Sequence, residues 1–326
     1  MFITTNTLLA ALVGATLLVY APVRHARFAY EDEVYVRPAQ QALTWQTVLQ
    51  PRGALTALTF RANARAHGLD PRGYHGVNLF LHLLVGLSVF ALAARLLPTG
   101  YALFAAAIFL LHPIQAEAVA YVAGRAELIA ALGTVGVVWA LAAPVLTWRH
   151  GAVAGFAALV AIGGKDLGVM ALPLALLWTV LIRRPVWSWR VWTALGVGGL
   201  AVLLLAAPIV AARIVGNPYV GMSERQGLGY LAMQSWALWT LLRLVIVPVG
   251  FTVDHDYELV SKAGALSALV LGLVVLVWAW RVRDRWPLVT LGIGWVVVAM
   301  LPRFFIRIPE LINEHQMYTP MIGLAI

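Results

Sequence analysis

The sequence predicts an all-α polytopic membrane protein, and three observations support this fold class. Of the 326 residues, 62% are hydrophobic and only 11% are charged, whereas soluble domains carry about 25% charged residues. The apolar residues form long stretches, several of them close to the ~20 residues that a helix needs to cross a bilayer. Short loops rich in arginine separate many of these stretches, as is typical of cytoplasmic loops in membrane proteins.

About ten hydrophobic stretches are candidate membrane spans. The first, Ile3–Val23, lacks the basic start and the small-residue cleavage site of a signal peptide, so we expect it to be retained. Tyr101–Leu111 is short and is expected to continue as a helix beyond His112. The other candidates are Val77–Leu97, Leu128–Thr147, Gly151–Gly163, Leu167–Ile182, Val191–Ala212, Ala263–Trp280, Pro287–Leu301 and a stretch from Met317. That last stretch stops at Ile326, which indicates an incomplete helix or a truncated chain.

The distribution of charge orients the spans in the membrane. With the N-terminus in the cytoplasm, thirteen of the fourteen Asp and Glu residues face outward, and only Asp284 lies inside. The cytoplasmic loops then hold Arg95, Arg149, Arg183, Arg184, Arg190, Arg281, Arg283 and Arg285. Residues 1–326 form a single transmembrane domain with outer loops at 24–76, 112–127, 213–262 and 302–316. The Ala- and Arg-rich composition indicates a bacterial inner membrane, with the polar face toward the periplasm or exterior.

Residues 230–249 are apolar enough to challenge this topology. A full crossing there would move the arginines at 281, 283 and 285 to the outside, against the positive-inside rule. It would also place Arg243 in lipid, which is costly. We therefore predict a re-entrant or interfacial helix on the outer side.

Composition also limits the classes of partner. The chain has no cysteine, so it has neither disulfides nor thiolate metal sites. Its net charge of +9 is dispersed along the sequence, so we predict no nucleic-acid surface. Anionic membrane lipids are the partners that such an excess favours.

An acidic cluster, Glu31-Asp32-Glu33, follows the first span. Adjacent carboxylates repel each other, so they raise the pKa of one member or share a cation. A raised pKa suits a general base. A divalent metal held by Glu31 and Asp32 is a second interpretation, and a solvated acidic turn is a third.

A second polar group runs from His112 to Glu127. In a continuous helix, Glu117, Tyr121 and Arg125 would share one face because they are spaced four apart. Ionisable groups at a membrane boundary are costly without partners. This face is therefore either a binding site or a structural Glu–Arg network.

Further polar residues leave similar alternatives open. Lys165 could bind a phosphate or pair with Asp166, and Arg243 could bind a phosphate or extend to lipid headgroups. Asp254-His255-Asp256 and Glu314-His315 offer metal ligands, but neither has the H-E-x-x-H spacing of a zinc site.

Together these segments resemble the GT-C superfamily of membrane glycosyltransferases, and most closely the protein O-mannosyltransferase-like family with transmembrane and tetratricopeptide repeats. Glu31-Asp32 matches the family's acidic pair, and the run from His112 to Glu127 is nearly identical to its counterpart. Gly164-Lys165-Asp166 resembles the family's Ser-Lys-Glu element. Residues 68–82, 241–257 and 314–318 are also similar, in order along the chain.

The resemblance implies transfer of a sugar from a polyprenyl-phosphate donor to a hydroxyl of a protein or glycan acceptor on the outer face. Asp32 would be the base, and Glu31 would orient it or share its proton. The donor phosphate would be bound by Arg125, Lys165 and Arg243, and the sugar or phosphate would be positioned by His112, Glu117 and His315. A divalent metal is not required, and no other cofactor is predicted.

Three departures from the family favour an alternative. The acidic pair is Glu-Asp instead of Asp-Asp, Gln316 replaces an arginine, and the sequence contains no tetratricopeptide repeats. The alternative is a catalytically inactive GT-C-like subunit of a larger membrane complex. A lipid-linked-sugar transporter is a third hypothesis, but the two similar halves expected of it are not evident.

Overall fold

The computed structural model describes residues 4–29, 32–37, 53–183, 211, 215, 227–252, 255, 260–306 and 311–326. Within these residues the extended regular structure is helical, which confirms the all-α prediction. The α-helices are α1 (Thr5–Val19), α2 (Asp32–Val36), α3 (Ala54–His67), α4 (Pro71–Ala93), α5 (Thr99–Leu111), α6 (Ala116–Ala120), α7 (Arg125–Leu141), α8 (Trp148–Gly164), α9 (Ala171–Trp178), α10 (Gly227–Ile246), α11 (Lys262–Val282), α12 (Pro287–Phe305) and α13 (Tyr318–Ala325).

Short 3₁₀ helices connect several of these elements. They comprise Ala21–His25, Pro113–Gln115, Val122–Gly124, Asp166–Met170 and Glu314–Met317. A π-helical turn, Thr179–Arg183, follows α9.

Four helices in the described ranges are long and apolar enough to cross a membrane: α4, the stretch Val122–Leu141 that contains α7, α11 and α12. Helix α5 makes a fifth if it is joined to its continuation, Pro113–Ala120, across a 50° bend. Helix α1 and the stretch Asp166–Ile182 are shorter apolar helices. The chain is therefore an integral membrane protein. The total of about ten spans stays a prediction, and Val191–Ala212 lies outside the described residues.

Local sequence signals explain where α4 begins. The Asp70 side chain accepts a hydrogen bond from the backbone N–H of Arg72 at 3.0 Å, and Pro71 occupies the first helical position, which its fixed φ favours. The helix thus starts six residues before the predicted Val77, inside the predicted loop 24–76. At the other end of the chain, α12 continues to Phe305, inside the predicted loop 302–316.

Helix α7 is the centre of the fold. Thirteen of its residues are buried, and it packs closely against α8 because a glycine faces the neighbouring backbone. A Cβ atom at Gly133 would clash with the backbone of Ala161. This close packing fixes the start of α7, where the polar residues lie.

Helix α10 contains most of the segment predicted to be re-entrant or interfacial. Its 20 residues measure about 30 Å at 1.5 Å per residue. It packs on α11, where Trp239 Nε1 donates to the carbonyl of Ala268 at 3.0 Å. It is not among the four helices that meet the length and hydropathy criteria for a span. Its placement in the membrane stays a prediction.

Candidate functional site

The run from His112 to Glu127 forms the middle of the site, but it is not one continuous helix. After α6 the chain is extended at Tyr121 (φ −74°, ψ 118°) before the next 3₁₀ turn. The expectation that Glu117, Tyr121 and Arg125 share one helical face is therefore wrong. The physical reason is a contact with α4, because the Asn78 side chain donates to the carbonyl of Tyr121 at 3.0 Å and holds the chain in this shape. The turn brings Gly124 so close to Ala118 that a Cβ at Gly124 would clash with its carbonyl.

Asp32 opens α2 and is held against this run. Its Oδ1 accepts the backbone N–H of Ala123 at 2.8 Å, and its Oδ2 accepts that of Ala29 at 3.1 Å. Only 1% of the residue is exposed. Burial raises the pKa of the Asp32 carboxyl above its ordinary value, although backbone hydrogen bonds and the nearby His75 oppose the shift. The predicted base is thus a preorganised buried carboxyl; its neighbour Glu31 lies outside the described residues.

His75 is a neighbour of Asp32 that has no individual role in the sequence motifs. Its Nε2 lies 3.2 Å from the carbonyl oxygen of Ala26. A carbonyl only accepts, so Nε2 carries the proton. Its Nδ1 has no hydrogen-bond partner among the described residues. The sequence signal that could have identified His75 is its position, because it is a histidine near the start of an apolar helix.

Arg125 is fully buried and is held by protein groups. Its Nε donates to Asn78 Oδ1 at 2.8 Å, and its Nη2 donates to the carbonyl of Tyr74 at 3.1 Å. Its guanidinium also lies 4.5 Å from the centre of the Phe60 ring. These contacts join α3, α4 and α7. Binding of a donor phosphate by Arg125 stays a prediction.

Glu117 and His315 form a pair across 198 residues of sequence. The backbone N–H of His315 donates to Glu117 Oε2 at 2.8 Å, and its Nδ1 lies 2.6 Å from Glu117 Oε1. His112 uses both ring nitrogens nearby: Nδ1 accepts the N–H of Ile114 at 3.1 Å, and Nε2 donates to the carbonyl of Val245 at 2.9 Å. The structure therefore brings Glu117 and His315 together, while His112 contacts backbone.

Lys165 makes an ion pair with Glu127 in the interior. The Asp166 carboxylate instead accepts the N–H of Leu167 at 2.8 Å. Of the two alternatives for Lys165, pairing with Asp166 is not what the structure shows. Glu127, which received no individual role in the sequence analysis, is the acidic partner.

Arg303 and Gln316 extend this polar region. Together with Glu127 they line a cavity of about 30 Å³, enough for about two water molecules. The amide group of Gln316 is buried without a hydrogen-bond partner in the part of the chain that the structure describes. Arg303 was missed because it ends an apolar span, where arginine is usually an interfacial anchor.

Arg243 lies apart from these contacts. It is exposed, and its Nη1 donates to the carbonyl of Val249 at 3.4 Å. No hydrogen bond or ion pair joins it to the other predicted site residues that the structure describes. Its role at the donor phosphate stays a prediction.

The candidate metal motifs are only partly described. His255 Nε2 lies 2.9 Å from Glu314 Oε1, which also accepts the N–H of Thr252 at 3.1 Å. Asp254 and Asp256 lie outside the described residues. Among the residues that the structure does describe, no three metal-ligating side chains group together.

The chain is similar to several curated proteins. Protein O-mannosyl-transferase Tmtc1 of Drosophila melanogaster is 37% identical over 142 residues, covering 37% of this chain and 16% of that protein. Human protein O-mannosyl-transferase TMTC2 is 34% identical over 146 residues, covering 38% and 18%. Protein O-mannosyl-transferase F38B6.6 of Caenorhabditis elegans is 23% identical over 291 residues, covering 83% and 41%.

The matched segments span less than half of each of these relatives. No family model matches the chain, and no solved structure matches it. The resemblance predicted from the motifs is nevertheless confirmed: the chain is a homologue of the proteins named protein O-mannosyl-transferase TMTC1 and TMTC2.

Proposed function

We propose that this protein is a glycosyltransferase that moves mannose from a polyprenyl-phosphate donor to a hydroxyl group of a protein acceptor on the outer face of the membrane. The names of its homologues support the sugar and the class of acceptor. The bacterial inner membrane, with the site facing the periplasm, is part of the same proposal.

The observation that carries the proposal is the position of Asp32. The hydrogen bond from Ala123 ties the acid of the first outer loop to the run that holds Glu117 and Glu127. Burial has raised its pKa, and a carboxylate with a raised pKa is a stronger base when it is ionised. In the proposed step Asp32 takes the proton of the acceptor hydroxyl. The oxygen then bonds to the anomeric carbon, and the donor phosphate departs with the electrons of the broken bond.

The neighbouring pairs supply groups that suit a sugar phosphate. Glu117 with His315 and Glu127 with Lys165 offer carboxylate, imidazole and ammonium groups to sugar hydroxyls or phosphate oxygens. Arg125 and Arg243 remain proposed phosphate ligands. A divalent metal is not required; if one binds, Glu31 and Asp32 are its proposed ligands.

An apolar groove supports a donor with a lipid tail. It has a volume of about 420 Å³ and lies between α10, α11 and α12. Leu301, Phe304 and Phe305 line the groove, and Arg303 on the same turn lines the small polar cavity. A polyprenyl chain in the groove would therefore end beside polar groups.

A second candidate is a non-catalytic subunit of a membrane complex, and a specific observation favours it. Both oxygens of Asp32 accept backbone N–H groups, and Arg125 donates to Asn78 and to the carbonyl of Tyr74. Asp32 and Arg125 would make the same contacts if their only role were to stabilise the fold.

Transfer by the purified protein tests the proposal. The protein in lipid nanodiscs is given either polyprenyl-phosphate [³H]mannose or GDP-[³H]mannose, with an acceptor panel of serine- and threonine-rich peptides and folded domains. We expect label on the acceptor from the lipid donor alone. Transfer from the nucleotide sugar alone would contradict the lipid donor. No transfer by folded protein from either donor would favour the non-catalytic subunit.

A further inference from the structure

A second cavity lies at the C-terminal end of α1, where the chain turns into the 3₁₀ helix Ala21–His25. Its volume is about 380 Å³, within the range of about 300–1,000 Å³ for small-molecule sites. It is lined by Leu17, Tyr20, Ala21, Val23, Arg24, His25, His75, Gly76, Leu79 and Val119. None of these residues was assigned a role by the motifs.

The polar side chains of this cavity are basic, and no acidic side chain among the described residues neutralises them. Arg24 and His25 are exposed side chains of its lining. Across the described ranges, neither makes an ion pair or a side-chain hydrogen bond, and no Asp or Glu lines the cavity. Lys165, in contrast, is half-buried and paired with Glu127. A rim that carries the Arg24 guanidinium and no carboxylate among the described residues favours an anionic ligand.

The rest of the cavity wall is apolar. This side is formed by Leu17 near the end of α1, Val23 and Leu79. Because Leu17 is 44% exposed, the cavity is open on this side. Helix α1 belongs to the predicted first span, and the end of a span is where lipid headgroups meet water. The combination of a basic rim and an apolar wall matches a molecule with a phosphate at one end and a hydrocarbon chain at the other.

The cavity is also adjacent to the proposed base. His75 lines it and is hydrogen-bonded to the carbonyl of Ala26. Three residues later, the N–H of Ala29 donates to Asp32. One short segment therefore joins the wall of the cavity to the proposed base.

We propose that this cavity binds the phosphate group of a membrane lipid, with Arg24 and His25 as its ligands. The lipid is either a polyprenyl phosphate or a phosphoglyceride of the bilayer. In the first case the site rests on the proposed function and is a second site for this lipid, separate from the groove between α10, α11 and α12. In the second it is a headgroup site that anchors the end of α1.

Direct binding measurements test this site. The ligand is farnesyl phosphate, its uncharged control is farnesol, and affinities are measured by calorimetry on the full chain in an uncharged detergent. We expect Arg24→Gln to weaken farnesyl phosphate binding about tenfold, the scale of one charge-assisted contact, and His25→Gln to weaken it less. The matched control is Arg27→Gln, which removes an exposed arginine outside the cavity lining and is expected to change the affinity less than twofold.

Competition separates the two lipid sources. Displacement of farnesyl phosphate by equimolar phosphatidylglycerol identifies a headgroup site, and resistance to displacement identifies a polyprenyl phosphate site; both outcomes support the proposal. Equal losses in Arg24→Gln and Arg27→Gln, or equal affinity for farnesol, would overturn it. Because no transfer is measured, failure here is distinct from failure of the proposed function.

Discussion

The carboxylate of Asp32 accepts a hydrogen bond from the backbone N–H of Ala123 at 2.8 Å, across 91 residues of sequence. This contact joins the first outer loop to the turn that precedes α7. It places a buried acid beside the run from His112 to Glu127, which resembles the corresponding run of the transferase family. The proposed chemistry depends on this relationship, and so do two of the predictions below.

The raised pKa of Asp32 predicts a specific pH dependence of stability. Because the folded-state pKa exceeds the unfolded value, the folded protein binds this proton more tightly. The contribution of Asp32 to stability is therefore full below the unfolded pKa and is lost as pH rises through the folded pKa. Asp32→Asn does not titrate, so its Tm relative to wild type is expected to increase with pH over this window. A pH-independent difference in thermal unfolding would contradict the shift.

Breaking the ion pair between Lys165 and Glu127 is expected to destabilise the protein. Lys165→Met leaves a carboxylate buried without its partner, which costs about 3–5 kcal/mol. The double variant Lys165→Met with Glu127→Gln removes both charges and is expected to recover part of that loss. Thermal unfolding of Lys165→Met, Glu127→Gln and the double variant in detergent measures the coupling. Additive losses would show that the two side chains do not interact.

Arg125→Lys is expected to lower stability although it keeps the charge. A lysine ammonium cannot reproduce the fork that reaches both Asn78 and Tyr74, so at least one buried acceptor loses its partner, at a cost of about 1–3 kcal/mol. Arg149→Lys, which changes an arginine stacked near Trp148, is the control and is expected to unfold like wild type. Equal Tm values for both variants would contradict the structural role of Arg125.

The close contact of α7 with α8 predicts opposite effects for two Gly→Ala changes. Gly133→Ala places a Cβ against the backbone of Ala161 and is expected to destabilise by about 1–3 kcal/mol. Gly155→Ala lies in α8 with nothing within 4 Å of the added atom, so better helix propensity is expected to raise stability by about 0.5–1 kcal/mol. Both are measured as changes in Tm. Tolerance of Gly133→Ala would show that these helices lie further apart.

Much of the fold could be predicted from the sequence, since apolar stretches and capping residues such as Asp70 are local signals. The break at Tyr121 could not, because the carbonyl of Tyr121 is held by a tertiary contact, a hydrogen bond from the side chain of Asn78. The pairing of Lys165 with Glu127, 38 residues away, has the same origin. Asp32 was found through its acidic cluster. His75 lies in the segment 68–82 that resembles the family but received no individual role, and Arg303 carried no distinctive pattern.

Mannose transfer by Asp32→Asn and Glu33→Gln tests the central claim most directly. The residues are adjacent acids, but Glu33 is exposed and pairs with Arg37 at 2.9 Å, so its neutral variant controls for the loss of one charge. With polyprenyl-phosphate [³H]mannose as donor, we expect Asp32→Asn to lower kcat by about 10²–10⁴-fold and Glu33→Gln to remain within about twofold of wild type. A folded Asp32→Asn protein that transfers mannose at the wild-type rate would contradict the assignment of Asp32 as the base.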